Sequence, residues 1–278
     1  MNDIVPHMPD YGQACSVVLA QLAPVAGAIE PNVATVVELA AAHRGADLIV
    51  LPELFLGGYL LDLADELAIE PDGPEFARMR EATAENDCAV VVGFAERVAD
   101  GVANSVAVIE HGAVAGIYRK THLFGAERNA YVAGDALEPI EAAGRRLGLM
   151  ICFDLEFPEV ARTLHNRGAD LFVTPACNAV EFAPDHDLAA RARALENGTP
   201  NVYVNLVGEY GGLSFRGESQ LVGPDGRPEL QLGHGPEVVG SNVEGAGHPD
   251  GRLHYDEQFR PELYELETRN RPATSRRP

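Results

Sequence analysis

Short apolar runs alternate with amphipathic segments along most of the chain. Runs rich in β-branched residues predict strands, and apolar positions three or four apart predict helices. The predicted strands are 14–22, 46–51, 88–96, 102–109, 113–118, 147–152, 169–174, 201–207 and about 216–222. The predicted helices are 32–44, 75–86, 158–167 and 187–197. This alternation indicates one α/β domain, and we expect no regular element beyond 222.

The two ends of the chain differ from this pattern. Residues 1–13 lack the basic start and apolar block of a signal peptide, so we treat them as an N-terminal extension. The domain itself is predicted to span 14–266. Residues 267–278 are rich in Pro, Ser, Thr and Arg, which predicts a disordered tail.

Composition excludes several classes of partner. The chain carries 21 Lys and Arg against 42 Asp and Glu, a formal charge of −21. Such a field repels phosphate backbones, so we expect no nucleic-acid partner. The apolar runs are far shorter than the roughly 20 residues that a membrane helix needs, so we expect no membrane partner.

The cysteines and histidines bear on compartment and metal. The four cysteines, at 15, 88, 152 and 177, form no CxxC pair and are too few for a disulfide framework, which favours a cytoplasmic protein. The His and Cys positions lack metal-ligand spacing, so no metal is expected.

Three reactive side chains lie at the end of a predicted strand or two residues beyond it: Glu53, Lys120 and Cys152. Side chains beyond the strand ends of an α/β sheet converge on one site. A thiol needs a base or a nearby cation to react, and a glutamate and a lysine would supply both. Each residue alone also fits an ordinary role, since a free cysteine is usually a small core side chain.

The sequence around these residues resembles the nitrilase superfamily of carbon–nitrogen hydrolases over about residues 14–266. Its glutamate, lysine and cysteine blocks are similar to 47–55 (DLIVLPELF, followed by Gly58 and Tyr59), 118–124 (YRKTHLF) and 151–159 (ICFDLEFPE). Residues 191–197 and 217–219 are also similar to family sequences. The resemblance implies a single-domain αββα sandwich.

The same resemblance implies roles for individual residues. Glu53 would be the general base, Cys152 the nucleophile and Lys120 the oxyanion stabiliser, with the backbone N–H of Phe153 as a second oxyanion donor. Glu127 fits the place of a fourth catalytic residue. His122 is expected to be structural. By analogy, Tyr59, Ala176, Cys177 and Asn178 would border the substrate pocket. No cofactor is implied.

The implied reaction is hydrolysis of a small aliphatic or amino-acid amide to the acid and ammonia through a thioester. An N-carbamoyl amine hydrolase or a nitrilase is an alternative, and an acyltransferase in a biosynthetic pathway is another. A binding protein whose chemistry has lapsed would also fit, although the intact Glu53, Lys120 and Cys152 disfavour it.

Two further expectations concern charge and assembly. Four acids near the blocks would attract a substrate ammonium group, although acids are frequent throughout this chain: Asp154, Glu156, Glu181 and Asp185. The resemblance also implies a homodimer or higher homo-oligomer in which the C-terminal arm buries Phe259, Leu263 and Tyr264.

Overall fold

A computed structural model describes residues 14–247, 255–258 and 260–264. Two six-stranded sheets form its centre. The first has the order β14-β1-β2-β3-β4-β5, built from β1 (Cys15–Gln21), β2 (Leu48–Val50), β3 (Ala89–Val98), β4 (Gly101–Glu110), β5 (Ala113–Arg119) and β14 (Glu237–Val243). The second has the order β13-β12-β9-β8-β7-β6, built from β6 (Ile140–Ala142), β7 (Arg145–Leu149), β8 (Leu171–Ala176), β9 (Asn201–Asn205), β12 (Gln220–Val222) and β13 (Pro228–Gln231).

The remaining regular elements lie outside these sheets. A separate hairpin pairs β10 (Val207–Tyr210) with β11 (Leu213–Arg216). The helices are α1 (Ile29–Ala42), α2 (Pro74–Asn86), α3 (Glu127–Ala130), α4 (Pro158–Asn166), α5 (Ala183–Asn197) and α6 (Tyr255–Gln258). Within the described residues no helix is long and apolar enough to cross a membrane.

Alternating side chains of β1 explain the layering. Val17 and Leu19 point into a core that they share with the second sheet, whereas Val18 and Ala20 pack on the other face against α1 and α2. Successive side chains of a strand point to opposite faces, so a strand that is apolar throughout must be covered on both sides. On the second sheet, α4 and α5 pack against β7 and β9. These layers confirm the predicted single-domain αββα sandwich.

Each sheet contains three parallel strands joined by helices. β1, β2 and β3 are parallel and are connected through α1 and α2, while β7, β8 and β9 are parallel and are connected through α4 and α5. Parallel neighbours direct their carboxyl ends to the same edge, where side chains from separate strands meet. The loops after β2 and β7 therefore become candidates for a shared site.

Several predicted boundaries were wrong. α1 and α5 begin at Ile29 and Ala183, earlier than predicted, because each accommodates a proline in its first turn, where a missing N–H costs nothing. The predicted strand 216–222 is interrupted at 217–219, where Gly217 has φ +83° and lies against the Gln21 side chain.

The expectation that regular structure ends at 222 was also wrong. β13 and β14 follow, and β14 pairs antiparallel with β1 at the edge of the first sheet. The predicted extension 1–13, the predicted tail 267–278 and Phe259 lie outside the described residues. Leu263 and Tyr264 are about three-fifths exposed in the isolated chain, with relative exposures of 60% and 59%.

Candidate active site

Glu53 lies fully buried just beyond β2 and accepts three hydrogen bonds. Its Oε1 accepts from Lys120 Nζ at 2.7 Å and from Asn104 Nδ2 at 2.7 Å. Its Oε2 accepts the backbone N–H of Cys177 at 2.6 Å. These hydrogen bonds engage both oxygens of the buried carboxylate and hold it in one orientation, so Glu53 is positioned to exchange a proton with a neighbouring group.

The Glu53 loop reaches this position because β3 has a glycine opposite it. A Cβ on Gly93 would lie 2.3 Å from the backbone nitrogen of Leu54 and 2.5 Å from the carbonyl oxygen of Pro52. Leu54 itself has φ +49°, a left-handed conformation that tightens the turn after the glutamate. Close backbone contact between the loop and β3 therefore fixes the carboxylate.

Lys120 follows β5 directly and is held through its backbone and its side chain. Its N–H donates to the carbonyl of Asn104 at 2.8 Å, and its own carbonyl accepts the N–H of Gly134 at 2.8 Å. Its buried Nζ contacts Glu53 and Glu127. Burial lowers the pKa of Lys120, but the two carboxylates outweigh burial and raise it well above the usual value. The lysine therefore stays cationic.

Glu127 begins α3 and completes the charged cluster. Its Oε2 lies 2.9 Å from Lys120 Nζ and accepts the N–H of Phe124 at 2.9 Å, and its Oε1 accepts the Tyr59 hydroxyl at 3.0 Å. Burial raises the pKa of Glu127, and the charge of Lys120 opposes that rise. The structure thus brings together the predicted Glu53, Lys120 and Glu127.

Cys152 lies on a strained turn rather than on a strand, which corrects the prediction that 147–152 is extended. β7 ends at Leu149, and Cys152 opens a 3₁₀ turn (Cys152–Glu156) with φ +47°. Non-glycine residues rarely adopt this conformation, and they do so mainly at functional sites. Burial and the charge of Glu53 raise the pKa of the Cys152 thiol, while Lys120 lowers it. The net shift is upward, so the resting residue is a thiol.

Asp154 joins the cysteine turn to the lysine loop. This fully buried carboxylate accepts from Ile151 N–H at 3.0 Å, Tyr118 Oη at 2.8 Å, Thr121 Oγ1 at 2.8 Å and His122 N–H at 2.8 Å. The His122 ring lies over Phe157 with its centroid 3.9 Å away. Both of its oxygens are engaged by these donors, so Asp154 has no open acceptor for a substrate ammonium group.

A small cavity of about 60 Å³ opens on Cys152. Four predicted substrate-binding residues line it: Tyr59, Phe153, Cys177 and Asn178. Ala176 does not line it, because the side chain is fully buried at the end of β8. Glu156, one of the acids expected to attract a substrate ammonium group, also lines it. The remaining lining residues were not predicted: Phe124, Ala179, Phe182, His186 and Leu213.

Comparison with known proteins places this geometry in a family. Residues 16–242 match the family model of carbon-nitrogen hydrolases. The chain belongs to the carbon-nitrogen hydrolase family. The predicted resemblance is thereby confirmed over the part of the chain that carries Glu53, Lys120 and Cys152.

Individual relatives of this carbon-nitrogen hydrolase bear different names. An (R)-stereoselective amidase from Pseudomonas sp. is 36% identical over 77% of this chain and 80% of its own. A nitrilase from Pyrococcus abyssi is 35% identical over 72% of this chain and 77% of its own. A mutant amidase from Nesterenkonia sp. AN1, solved with acrylamide, has a TM-score of 0.80 at 30% identity, covering 91% of this chain and 96% of that one.

Sequence reasoning about this carbon-nitrogen hydrolase missed one contact of Glu53. Asn104 interrupts the apolar run of β4, and that interruption was the available signal. Its side chain is fully buried and donates to Glu53, while its Oδ1 has no hydrogen-bond partner among the described residues. Among the residues that the structure describes, no cluster of His, Cys, Asp and Glu side chains could hold a metal ion.

Proposed function

We propose that this carbon-nitrogen hydrolase is an amidase that converts a small aliphatic or amino-acid amide to the acid and ammonia. The observation that carries the proposal is Lys120 Nζ held between the buried carboxylates of Glu53 and Glu127, beside the Cys152 thiol. The amidases from Pseudomonas and Nesterenkonia support an amide as the substrate.

In the first half of the reaction, Cys152 Sγ attacks the amide carbon while its proton passes to Glu53. The carbonyl oxygen becomes an oxyanion. An ammonium group has three N–H donors, and the two carboxylates engage two of them, so Lys120 has one left for the oxyanion. The backbone N–H of Phe153 is the second donor. The C–N bond then breaks as Glu53 returns the proton to nitrogen. Ammonia departs, and the acyl group remains bound to Cys152 as a thioester.

In the second half, Glu53 removes a proton from a water molecule that attacks the thioester carbon. The C–S bond breaks, and the proton returns to Cys152 Sγ as the acid leaves. Glu53 is suited to both transfers because its hydrogen bonds to Asn104 and Cys177 hold it in place without competing water. Glu127 holds Lys120 from the opposite side and completes the catalytic group.

Ammonia release across a panel of compounds tests this proposal. The panel contains aliphatic amides, α- and ω-amino amides, N-carbamoyl amines and nitriles, each with and without hydroxylamine as an acyl acceptor. We expect amide turnover by the wild-type protein and by Cys88→Ala, a matched buried thiol just before β3, and none by Cys152→Ala. Turnover of nitriles or carbamoyl amines alone, or product formed only with the acceptor, would replace the amidase assignment.

Assembly is a separate proposal. We expect a homodimer or higher homo-oligomer, because the apolar side chains of Leu263 and Tyr264 are exposed in the single chain. Light scattering on the wild-type protein and on Leu263→Ser measures this directly. A monomer at every working concentration would contradict it.

A further inference from the structure

The catalytic cavity contains a single carboxylate among the described residues that line it. Glu156 lies four positions after Cys152 in the same 3₁₀ turn, and both residues line the cavity. Of the other three predicted ammonium-binding acids, Asp154 is fully engaged by hydrogen bonds, and Glu181 and Asp185 do not contribute to the lining. Of the four predicted acids, Glu156 is therefore the one that lines the cavity.

The surroundings of Glu156 favour a cation. The nearby walls are mainly apolar, formed by Tyr59, Phe124, Phe153, Phe182 and Leu213, and no lysine or arginine is among the residues that line the cavity. The Glu156 side chain is 35% exposed, and the apolar walls on its cavity side lower the local dielectric below that of open water, which strengthens its interaction with a cation. The cavity therefore has an apolar body with one negatively charged wall.

A buried histidine orients this carboxylate. His186 Nε2 lies 3.3 Å from Glu156 Oε1, and His186 Nδ1 lies 3.2 Å from the Tyr203 hydroxyl. The Tyr203 hydroxyl at Nδ1 and the Glu156 carboxylate at Nε2 together fix the orientation of the imidazole ring. This contact engages one carboxylate oxygen and leaves the second for a ligand.

We propose that Glu156 determines specificity by binding a cationic amine on the acyl part of the substrate. The inference rests on the proposed amidase function, in which ammonia is the leaving group, so the cation belongs to the acyl chain. A 3₁₀ turn rises about 2 Å per residue, which separates the backbones of Glu156 and Cys152 by about 8 Å along the turn. An amine several bonds from the amide carbon fits this separation.

Matched substrate pairs test the proposal. Each pair consists of an ω-amino amide and the neutral amide of equal length with methyl in place of ammonium, from glycinamide with propionamide to 5-aminopentanamide with hexanamide. The readout is the ratio of kcat/KM for the cationic amide to that for the neutral one. We expect the ratio to exceed one at the preferred length and to fall by at least about fivefold in Glu156→Gln, because a charge-assisted contact is lost.

Two further variants separate the local contact from general effects. Glu181→Gln removes the same charge from an exposed position outside the cavity, so the ratio should stay at the wild-type value. Glu156→Asp keeps the charge and should retain more of the preference than Glu156→Gln does. Thermal unfolding of each variant shows that it is folded.

The possible outcomes distinguish this inference from the function on which it rests. Hydrolysis of neutral amides with an unchanged ratio in Glu156→Gln would overturn the role of Glu156 and leave the amidase function standing. If the ratio fell equally in Glu181→Gln, the preference for cationic amides would come from the overall negative charge of the protein. That outcome would also overturn the role of Glu156. If no amide is hydrolysed by the wild-type protein, the amidase function fails, and the specificity role fails with it.

Discussion

Asn104 donates its side-chain N–H to the Glu53 oxygen that also accepts from Lys120, and each contact is 2.7 Å long. The backbone carbonyl of Asn104 accepts the Lys120 N–H as well, so one residue of β4 positions both Glu53 and Lys120. An unpaired buried oxygen costs about 1–3 kcal/mol, yet Asn104 Oδ1 has no partner among the described residues. The Asn104 side chain is therefore oriented to donate to Glu53, although this leaves its own oxygen without a partner.

Asn104→Ala should lower kcat by about 10- to 100-fold, because a hydrogen bond to a charged group contributes about 1.5–3 kcal/mol. KM should change much less, since Asn104 does not line the cavity. Steady-state kinetics on the amide that the protein turns over measure both. Asn86→Ala removes a buried asparagine that bonds within α2 and should affect stability only. A rise in KM without a loss of kcat would contradict the positioning role of Asn104.

Cys177 contributes to the site through its backbone. Its N–H bonds Glu53 Oε2 at 2.6 Å, while its thiol donates to the Glu53 carbonyl at 3.1 Å. Cys177→Ala keeps the N–H and loses a weak thiol donor, so activity should stay within about threefold of wild type. Steady-state ammonia release by Cys177→Ala and by the wild-type protein measures this. An inactive Cys177→Ala that is folded would give the thiol itself a role in the reaction.

The pH at which Cys152 becomes reactive towards alkylation should depend on the charge of Glu53, and the direction of this effect can be predicted. Burial raises the pKa of this thiol most, the negative charge of Glu53 raises it further, and Lys120 lowers it. A raised pKa means less thiolate at a given pH, so wild-type alkylation should keep accelerating into the alkaline range. Glu53→Gln removes the negative charge, so the midpoint of the pH dependence of Cys152 alkylation should move to lower pH in this variant, although its turnover is lost.

Rates of iodoacetamide labelling across pH measure this midpoint, with Glu181→Gln as a variant that loses a distant charge. A midpoint that moves to higher pH in Glu53→Gln would mean that the glutamate already holds the proton of a resting thiolate. That outcome would contradict a protonated thiol at rest.

The strands that carry the site were predictable because their apolar residue types indicate that they are buried. β2 is a continuous apolar run and β8 is apolar apart from Thr174, and such runs occur where a strand is covered on both faces. β14 was missed because Glu237, Gly240 and Asn242 are exposed on an edge strand, which leaves little apolar pattern. Its place is set by pairing with β1, which lies far away in the sequence.

The chemistry of the site was also only partly predictable. Residue type and sequence context identified Glu53, Lys120 and Cys152, because a reactive side chain after a strand is a local feature. The turn at Cys152 was not predictable, since its φ of +47° is held by Asp154 and a lysine loop that comes from another segment. Phe182 and His186 reach the cavity only through tertiary packing, and no local pattern marks them.

Asp154 provides a graded test of that turn. Tyr118→Phe removes one of its hydrogen bonds and should lower the free energy of unfolding by about 1 kcal/mol. Asp154→Ala leaves all the donors around it unpaired and should cost more, about 3–5 kcal/mol, with loss of activity. Chemical denaturation measures both. Equal costs for the two variants would contradict a role for Asp154 in joining the two loops.

Gly93 limits how closely the Glu53 loop can approach β3. In Gly93→Ala the new Cβ would lie 2.3 Å from the Leu54 nitrogen, and backbone on both sides prevents a simple side-chain adjustment. The loop must move, so we expect at least about a 100-fold loss of kcat/KM, because a shift of about 1 Å in a catalytic group has that effect.

Gly240→Ala is the matched control for this prediction. It also places a methyl group on a strand of the first sheet, but the nearest atom, the Val17 carbonyl oxygen, is 4.0 Å away. Its activity and unfolding midpoint should stay close to wild type. If Gly93→Ala were as active as Gly240→Ala, the close approach of β3 would not be what fixes Glu53, and the hydrogen bonds from Asn104 and Cys177 would have to hold the carboxylate alone.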